Sequence, residues 1–560
     1  MKTNMRNIVL MLAGFSLLLV ACNKESISVD TPKAARIETL TVQTESETKV
    51  NVNAVGALSW TSGDEIAVWK GTDASTGSYI SCEVEGGSVS VPLEAGQSRY
   101  NYAIYPATDK VDANYSAASL QVALPGAYDI TGKDGVYSPV PMIALQTEEE
   151  TLTFKTLTGL LRLNVIGVPN TTTTLTVNIG DNKIVGTYNV ANVPTAEHPE
   201  YTPYIEKSAS GSTSIVYTIH ATGTVGGAAV VLNIPLPLGS YSAGTITVTA
   251  KDASNRVLDT KTKDYSAFTV VRNQGKKATV NFGTIAGLVF SSGNLYTTVD
   301  GGGNASLHVA ADPIEHMTTY THESPYNAVD QFTSSNYSLA NRVYFNFNEL
   351  NFLFNGKTPT YTDSQTKKDA FPGLEFDGYY WSVLSATEAE ALGDTRLGSI
   401  VNGDAGYLFA GVLVDLTGSK YAGCGLNDMD GSVYADEGYS NYIRGGLFFP
   451  DNVTISTADF SAAKNRTNSN VKITYAQLES LIALGCRFYP ASGYWTSNKG
   501  SNSYAKTGVD GYFVTSTVSG AESFNCFTFR QQEVDHLYIS TVARNKYYAT
   551  VWLVRRYKID

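Results

Sequence analysis

Hydrophobic and polar residues alternate in short segments along the first half of the chain. Residues 65–69, 100–105 and 160–165 are clear examples, and turn-forming residues cluster between such segments. Alternation of this kind is typical of half-buried strands, because successive side chains point to opposite faces of a sheet. The close spacing of these segments predicts a β-sandwich rather than a helical or α/β fold.

Two hairpins are predicted from the same alternation. In the first, residues 175–179 alternate, residues 180–182 supply a Gly-Asp-Asn turn, and the chain returns at Ile184. In the second, residues 246–250 alternate, residues 252–255 turn, and the return strand begins at Val257.

The pattern changes after a predicted closing strand at residues 278–282 and a predicted linker at residues 283–287. Beyond residue 288, aromatic residues, Asn and Gly increase and regular alternation is lost. Two helices are predicted there. One begins at the capping box of Ser385 and Glu388, and the other is capped by Thr474 and ends at Gly485. The second half is therefore predicted to be α+β and loop-rich.

The longest apolar run lies at the start of the chain. Lys2 and Arg6 precede residues 8–21, which are apolar and are followed by Cys22. A basic head, a short apolar core and small residues at the exit predict a secretory signal peptide. The run is shorter than the roughly 20 residues that a membrane-spanning helix needs. Residues 19–22 (Leu-Val-Ala-Cys) resemble the bacterial lipobox, which implies lipid attachment at Cys22 and a membrane anchor.

Composition and charge exclude some classes of function. The chain has a formal net charge of −12, and only 16% of its residues are charged. Nucleic acid is excluded as a partner because phosphate binding needs a basic stripe, which the sequence lacks. Beyond Cys22, the cysteines form no CxxC pair and have no His at metal-ligand spacing; they are Cys82, Cys424, Cys486 and Cys526. No zinc site or other cofactor is predicted, and one disulfide among the last three cysteines remains open.

One acidic segment has part of a calcium-binding pattern. Asp428, Asp430 and Glu437 match ligand positions of an EF-hand loop, but Leu426 occupies the first position, where an acidic ligand is needed. No helical pattern flanks the segment. A solvated acidic turn is the alternative interpretation, and it is favoured over a metal site.

The aromatic residues of the second half are the candidates for ligand binding. Tyr380, Trp381, Tyr494 and Trp495 would stack on sugar rings if exposed, or fill the core of a loop-rich fold if buried. The six His residues are scattered, and no nucleophile–base pairing follows from their spacing. An enzyme is therefore not predicted.

The first half resembles the fimbrillin-like family, the type V pilins and related lipoproteins of Gram-negative anaerobes. The resemblance is carried, in this order, by the lipobox and residues 58–69, 102–106, 141–144 and 154–163. It implies export as a lipoprotein, trimming by a trypsin-like protease after a basic residue, and donor-strand exchange with other pilin subunits. Arg36, just before residues 37–43, is the predicted processing site; an ordinary exposed Arg in a tether is the alternative.

The second half resembles a C-terminal adhesin-like domain of surface lipoproteins, with a C-type-lectin-like character. The resemblance is carried by residues 290–296, 380–388, 447–451, 485–494 and 551–556. Residues 515–517 depart from that pattern, since they lack the expected Trp. In the last segment, residues 547–557, Val551 and Leu553 alternate against Trp552 and Val554, so both faces are apolar there, which predicts a strand buried in its own domain.

These observations predict a mainly β protein of four regions: signal peptide and lipobox 1–22, flexible tether 23–36, a fimbrillin-like β-sandwich region 37–285 with room for two sub-domains, and an α+β adhesin-like domain 288–560. The predicted function is a surface-exposed pilus subunit of the outer membrane, of the tip-adhesin kind. The alternative is a non-polymerising outer-membrane lipoprotein that binds glycan or a host ligand.

Overall fold

The computed structural model describes residues 36–44, 60, 63–70, 78–93, 95, 102–107, 120–131, 140–145, 151–195, 197–219, 229–315, 339–340, 342–360, 362–363, 366, 373–393, 408–422, 441–451, 453, 471–496, 503–505, 510–530, 537–543 and 547–559. Strands dominate this part of the chain, and the helices among these residues are short. The predicted mainly β fold class is confirmed.

The first strands form a closed barrel. In chain order they are β1 (Arg36–Thr44), β2 (Glu65–Lys70), β3 (Ser78–Glu85), β4 (Ser88–Leu93), β5 (Tyr102–Tyr105), β6 (Gln121–Leu124), β7 (Ala127–Asp129), β8 (Met142–Leu145) and β9 (Thr151–Thr156). The barrel order is β1-β4-β3-β2-β5-β8-β9, and β1 closes it by pairing with both β4 and β9. Ile66 and Val68 point into the barrel core, as their alternation predicts.

A sandwich follows the barrel. Its strands are β10 (Gly159–Ile166), β11 (Thr174–Ile179), β12 (Gly186–Ala191), β13 (Tyr204–Ile205), β14 (Ser214–Thr218), β15 (Val230–Leu236), β16 (Gly239–Tyr241), β17 (Gly244–Lys251), β18 (Val257–Tyr265), β19 (Phe268–Val270) and β20 (Gly275–Asn281). Sheet β15-β10-β20 and sheet β18-β17-β11-β14-β7 share one apolar core. A third sheet, β13-β12-β6, packs on the outer face of barrel strands β2, β5 and β8.

One predicted hairpin is correct and the other is wrong. Strands β17 and β18 pair antiparallel around the turn at residues 252–255, as predicted. Strand β11, however, pairs with β14 and β17, so both of its edges are already occupied. The chain turns at Gly180 and Asn182, and the next strand, β12, pairs with β6 instead. The turn was correct, but partners remote in sequence decided the pairing.

The second half has many small sheets and short helices. Its strands are β21 (Val289–Phe290), β22 (Leu295–Val299), β23 (Ala305–Val309), β24 (Leu374–Phe376), β25 (Tyr379–Val383), β26 (Leu408–Asp415), β27 (Tyr442–Phe448), β28 (Val471–Thr474), β29 (Arg487–Pro490), β30 (Tyr494–Thr496), β31 (Ser503–Ala505), β32 (Asp510–Gly520), β33 (Ser523–Arg530), β34 (Leu537–Ala543), β35 (Tyr547–Tyr548) and β36 (Leu553–Lys558). The helices are α1 (Phe347–Phe354), α2 (Ala386–Gly393) and α3 (Tyr475–Ala483).

Both predicted helices form with their predicted caps. In α2 the Ser385 hydroxyl accepts from the Glu388 backbone N–H, and the Glu388 carboxylate accepts from the Ser385 N–H. In α3 the same exchange joins Thr474 and Gln477. Gly485 follows α3 with φ +103°, a conformation that glycine adopts without strain. Helix α1 was not predicted, although Asn346 and Glu349 form a capping box that the sequence displays.

The predicted linker is buried and bonded to the second half. Thr284, Ile285 and Ala286 are all inaccessible to solvent. The buried Asp451 carboxylate accepts hydrogen bonds from the Ala286 N–H at 3.1 Å and the Gly287 N–H at 2.8 Å. Residues 284–287 are therefore held in place by the second half, while the division into domains at residues 285 and 288 stays a prediction.

Candidate functional site

The first strand occupies a special position in the barrel. Residues 36–41 of β1 pair antiparallel with β4, whereas residues 41–44 pair in parallel with β9. Strands β4 and β9 are the two ends of the sheet formed by the other barrel strands, and β1 joins them, so β1 closes the sheet into a barrel. Without β1, one edge of β4 and one edge of β9 would lose their backbone partners.

Only one face of β1 contributes to the barrel core. Leu40 and Val42 are 1% and 4% exposed and belong to the core, whereas Thr39, Thr41 and Gln43 face outward. Ile37 is 72% exposed. Burying two aliphatic side chains contributes about 1.5–3 kcal/mol each, to which the ladder hydrogen bonds add. The stabilisation that β1 gives the barrel thus comes from two buried aliphatic side chains and a hydrogen-bond ladder. Another strand with apolar residues at alternate positions can supply the same.

The structure places Arg36 inside β1 rather than in front of it. Arg36 is the first residue of the strand and pairs with Leu93 of β4. A cut after Arg36 would remove the preceding chain and leave Ile37 to Thr44 in the barrel. Its role as a processing site stays a prediction.

The last strand has the opposite character. Strand β36 lies between β21 and β25 and is hydrogen-bonded to both. Val551, Trp552, Leu553 and Val554 are all buried, so both faces of this segment pack inside the protein. Of the C-terminal segment, residues 548–554 are buried as predicted, whereas residues 555–557 are partly exposed.

A cleft with a volume of about 460 Å³ opens where the two halves meet. The first half contributes the loop around Asn170 and the turn between β17 and β18, which carries Asp252 and Arg256. The second half contributes Tyr380 of β25, Glu388 of α2 and residues 555–557 of β36. The lining is thus built by elements that lie far apart in the sequence.

A β-bulge presents three consecutive residues of β36 to this cleft. Trp381 pairs with Arg555 and Tyr380 pairs with Tyr557, so Arg556 is an extra residue in the ladder. Along a regular strand, neighbouring side chains point to opposite faces. A bulge breaks that alternation and redirects a side chain, which is how Arg555, Arg556 and Tyr557 all come to line the cleft.

The arginines of the cleft are ion-paired. Arg256 binds Asp252, with Nη2 at 2.7 Å from Oδ2, and its guanidinium lies 4.1 Å from the centre of the Tyr557 ring. Arg556 binds both carboxylate oxygens of Glu388. Arg555 binds the buried Asp259 of β18.

These contacts keep the two acidic residues that line the cleft ionised. Burial by itself would raise the pKa of Glu388, but hydrogen bonds and charge from Arg556 outweigh it and lower that pKa. Burial likewise opposes ionisation of Asp252, and hydrogen bonds from Arg256 lower the pKa of that carboxyl. At neutral pH the paired groups therefore sum to no net charge.

The predicted aromatic candidates have different positions. Tyr380 lines the cleft, and its ring stacks on Tyr557 with centroids 5.1 Å apart. Trp381 is 8% exposed, packs in the core and donates from Nε1 to the Phe376 carbonyl, so its ring is occupied by packing. Tyr494 and Trp495 lie in β30, and the structure describes their backbone only.

Several other predicted features lie outside the described residues. They are the signal peptide, Cys22, the tether up to residue 35, Cys424, and the acidic candidates Asp428, Asp430 and Glu437. The described residues contain no group of three or more His, Cys, Asp and Glu side chains placed to hold a metal ion. In the same part of the chain, none of the helices has the length and apolar character that a membrane span requires.

The cysteines of the described residues are buried thiols. Cys82, Cys486 and Cys526 are each unpaired. Burial raises the pKa of Cys82 to about 11 and that of Cys486 to about 12, and it also raises the pKa of Cys526. Since the thiolate is the reactive form, these side chains are suited to packing rather than to chemistry.

Sequence reasoning missed the charged residues of the cleft. Arg555 and Arg556 follow the apolar residues 551–554, and this double arginine beside a buried strand is a visible signal. Glu388 was noted only as a helix cap, although it also binds Arg556. Nothing in the sequence indicates that Asp252 and Arg256, in a hairpin turn of the first half, lie beside them.

Comparisons with known proteins gave similar solved structures only. No family model matches the chain, and no curated protein matches it. A proposed cell adhesion protein from Bacteroides ovatus is 14% identical, with 45% of this chain and 93% of that chain covered and a TM-score of 0.28. A fimbrial protein from Bacteroides ovatus is 9% identical, with 94% and 100% covered and a TM-score of 0.22. These TM-scores are too low to establish a shared fold, so the function proposed below rests on this chain's own geometry.

Proposed function

We propose that the chain is a surface-exposed fimbrial subunit that occupies the tip of a pilus. It is exported, anchored in the outer membrane through lipid on Cys22, and joined to the next subunit by strand addition after its N-terminal segment is removed. The observation that carries the proposal is the contrast between β1, which packs one face against the barrel, and the C-terminal residues 551–554, which are buried on both faces.

The geometry of β1 suits strand addition. Its removal would leave backbone groups of β4 and β9 unpaired, together with the spaces that Leu40 and Val42 fill. An incoming strand with apolar residues at alternate positions would satisfy both requirements. In strand addition, ladder hydrogen bonds supply affinity and alternate side-chain pockets supply specificity.

The position of the cut decides whether β1 can leave. A cut after Arg36 keeps β1 in the chain, so the cut that frees the groove has to fall after Thr44. Between β1 and β2 the sequence has a single basic residue, Lys49. Cleavage after Arg36 would detach the protein from its lipid anchor, and cleavage after Lys49 would also release β1.

The burial of the last strand supports the tip position. A shaft subunit both accepts a strand and donates one, and a donated strand must be detachable. Residues 551–554 and β36 pack between two neighbouring strands. Withdrawing them would expose a Trp and three aliphatic side chains, at about 1.5–3 kcal/mol for each aliphatic, against a typical total stability of about 5–15 kcal/mol.

The test uses the purified full chain treated with trypsin, with Arg36→Gln and Lys49→Gln as matched variants. We expect mass spectrometry to find mature chains that begin at Val50 in the wild type and in Arg36→Gln, and none in Lys49→Gln. A fluorescent peptide of residues 36–44 should then bind the protein cut after Lys49, and the same peptide with Leu40→Ser and Val42→Ser should not.

Three results would contradict the proposal. One is cut protein that keeps its own β1 and captures no peptide under mild denaturant. Another is cut protein that unfolds as a whole, which would mean that β1 is structural. Cleavage at Arg36 alone, in cells that assemble fibres, would show that β1 is not the segment exchanged.

A further inference from the structure

We propose that the cleft between the two halves binds a neutral saccharide. This inference goes beyond the proposed fimbrial role and is independent of strand exchange. It starts from the cleft volume of about 460 Å³, which lies within the range of about 300–1,000 Å³ typical of small-molecule sites.

The charges of the cleft select the class of ligand. Each cleft arginine is paired with a carboxylate: Arg256 with Asp252, Arg556 with Glu388, and Arg555 with Asp259, which Lys261 also binds at 3.3 Å. A phosphate or carboxylate ligand would have to compete with these carboxylates for the guanidinium groups. A neutral ligand meets no such competition.

The same pairs suit a polyhydroxylated ligand. Each sugar hydroxyl can donate one hydrogen bond and accept others. Guanidinium groups offer only donors and carboxylates only acceptors, and the exposed Thr171 hydroxyl, which also lines the cleft, offers both. Paired arginines and carboxylates lining one wall can therefore bind a hydroxyl-rich surface without any net charge.

An aromatic surface completes the lining. The Tyr380 and Tyr557 rings stack on each other at 5.1 Å with an interplanar angle of 12°, and Arg256 lies over the Tyr557 ring. Tyr557 is thereby covered by Tyr380 and Arg256, so the surface against which the C–H face of a sugar can pack is the side of the Tyr380 ring turned away from Tyr557. Tyr380 is one of the four aromatic residues for which the sequence left sugar stacking and core packing as alternatives.

The cleft is also ordered before any ligand arrives. Glu388 is fixed by the cap of α2 and by Arg556, and Asp252 accepts backbone hydrogen bonds from Ser254 and Arg256. Side chains already held in place lose little conformational entropy on binding, which favours affinity. The bulge at Arg556 also fits a binding site, since bulges are frequent beside such sites, where they redirect side chains.

The experiment screens the full chain without its signal peptide against an array of neutral and anionic glycans. Calorimetry then measures the affinity for the best glycan. We expect neutral glycans to bind and the affinity to change little between low and high salt, because no net charge is involved. Binding should also raise the unfolding temperature, since the ligand contacts both halves.

Two variants locate the site, and one serves as a control. Tyr380→Ala and Arg256→Ala should each weaken binding about tenfold, which is the effect of losing one good aromatic or hydrogen-bonding contact. Arg256 lies on a half-exposed turn, so its variant stays informative even if Tyr380→Ala fails to fold. Tyr201, an exposed ring stacked on His198, is the matched control, and Tyr201→Ala should bind like the wild type.

Other outcomes would overturn the inference. They are binding of anionic glycans alone with strong salt dependence, loss of binding in Tyr201→Ala but not in the cleft variants, and no binding across the array. Because the assay uses unpolymerised protein, a subunit that binds saccharide but captures no strand peptide would contradict strand addition and leave this inference standing. A subunit that captures the peptide and binds no glycan would contradict this inference and leave strand addition standing.

Discussion

The first and last strands of the described chain are both hydrogen-bonded on two edges, yet they differ in how they are held. Strand β1 joins β4 and β9 and sends Leu40 and Val42 into the barrel, while its other face meets solvent. Strand β36 joins β21 and β25, and the residues leading into it are buried on both faces. The two strands are therefore alike in backbone pairing, and the number of buried faces is what distinguishes them.

The ends of these strands also differ in their contacts with the rest of the molecule. Arg555 and Arg556 tie β36 to Asp259 of the first half and to Glu388 of α2. The outward side chain of Gln43 on β1 donates a hydrogen bond to Thr153 of the neighbouring β9. Release of β36 would thus disturb both halves, whereas release of β1 would open one barrel.

The largest effect is expected from the C-terminal segment. Trp552 stacks on Tyr489 at 4.0 Å within a buried aromatic cluster. Trp552→Ala should lower the free energy of unfolding by about 3–5 kcal/mol, because a large cavity replaces the ring. Deletion of residues 551–560 should unfold the second half completely. Chemical denaturation followed by circular dichroism checks both variants.

The first half is the internal control for that experiment. Limited proteolysis of the deletion variant should still yield a folded fragment of the barrel and sandwich, since their cores consist almost entirely of first-half residues. A deletion variant that remains fully folded and merely fails to polymerise would make the last strand a donor and reverse the comparison.

A smaller and more local effect is expected at β1. Leu40→Ala should cost about 2–5 kcal/mol at the barrel, and it should act by freeing β1 rather than by unfolding the sandwich. Hydrogen exchange should rise at the amides of β1 and at those of β4 and β9 that it pairs with. Thr41→Ala, at an exposed position of the same strand, is the matched control and should leave exchange unchanged. Uniform loss of protection across the first half would show that β1 is integral to the whole region.

Periodicity in the sequence predicted where strands form better than it predicted which strands pair. The alternation of Ile246, Val248 and Ala250 predicted a strand and its hairpin correctly, because a short turn leaves the partner little choice. The same reasoning failed after Ile179, where β14 and β17 occupy both edges of β11. The closed barrel was also missed, because it depends on the parallel pairing of β1 with β9 across more than a hundred residues.

The cleft could be predicted only in part. Tyr380 stood out as one member of an aromatic segment, but the adjacent Trp381 has the same appearance in sequence and is core. The roles of Arg256 and Arg556 depend on the contact between β18 and β36 and on the bulge at Arg556. A bulge has no fixed sequence signature, so the side chain it redirects cannot be read from the pattern.

The smallest expected effect concerns acid. The pKa of Glu388 is lowered below its ordinary value of 4.5, so its pairing with Arg556 stabilises the folded protein above that pH. As the pH falls below 4.5 and through the lowered pKa, the carboxylate becomes protonated and this contribution is lost. Glu388→Gln should therefore cost about 1 kcal/mol at pH 7, as expected for a partly exposed pair, and the difference from wild type should shrink steadily in acid. Urea unfolding of both proteins from pH 7 to pH 3 measures this difference. A difference that stays constant over that range would mean that the charge of Glu388 does not stabilise the fold and that the ion pair does not hold β36.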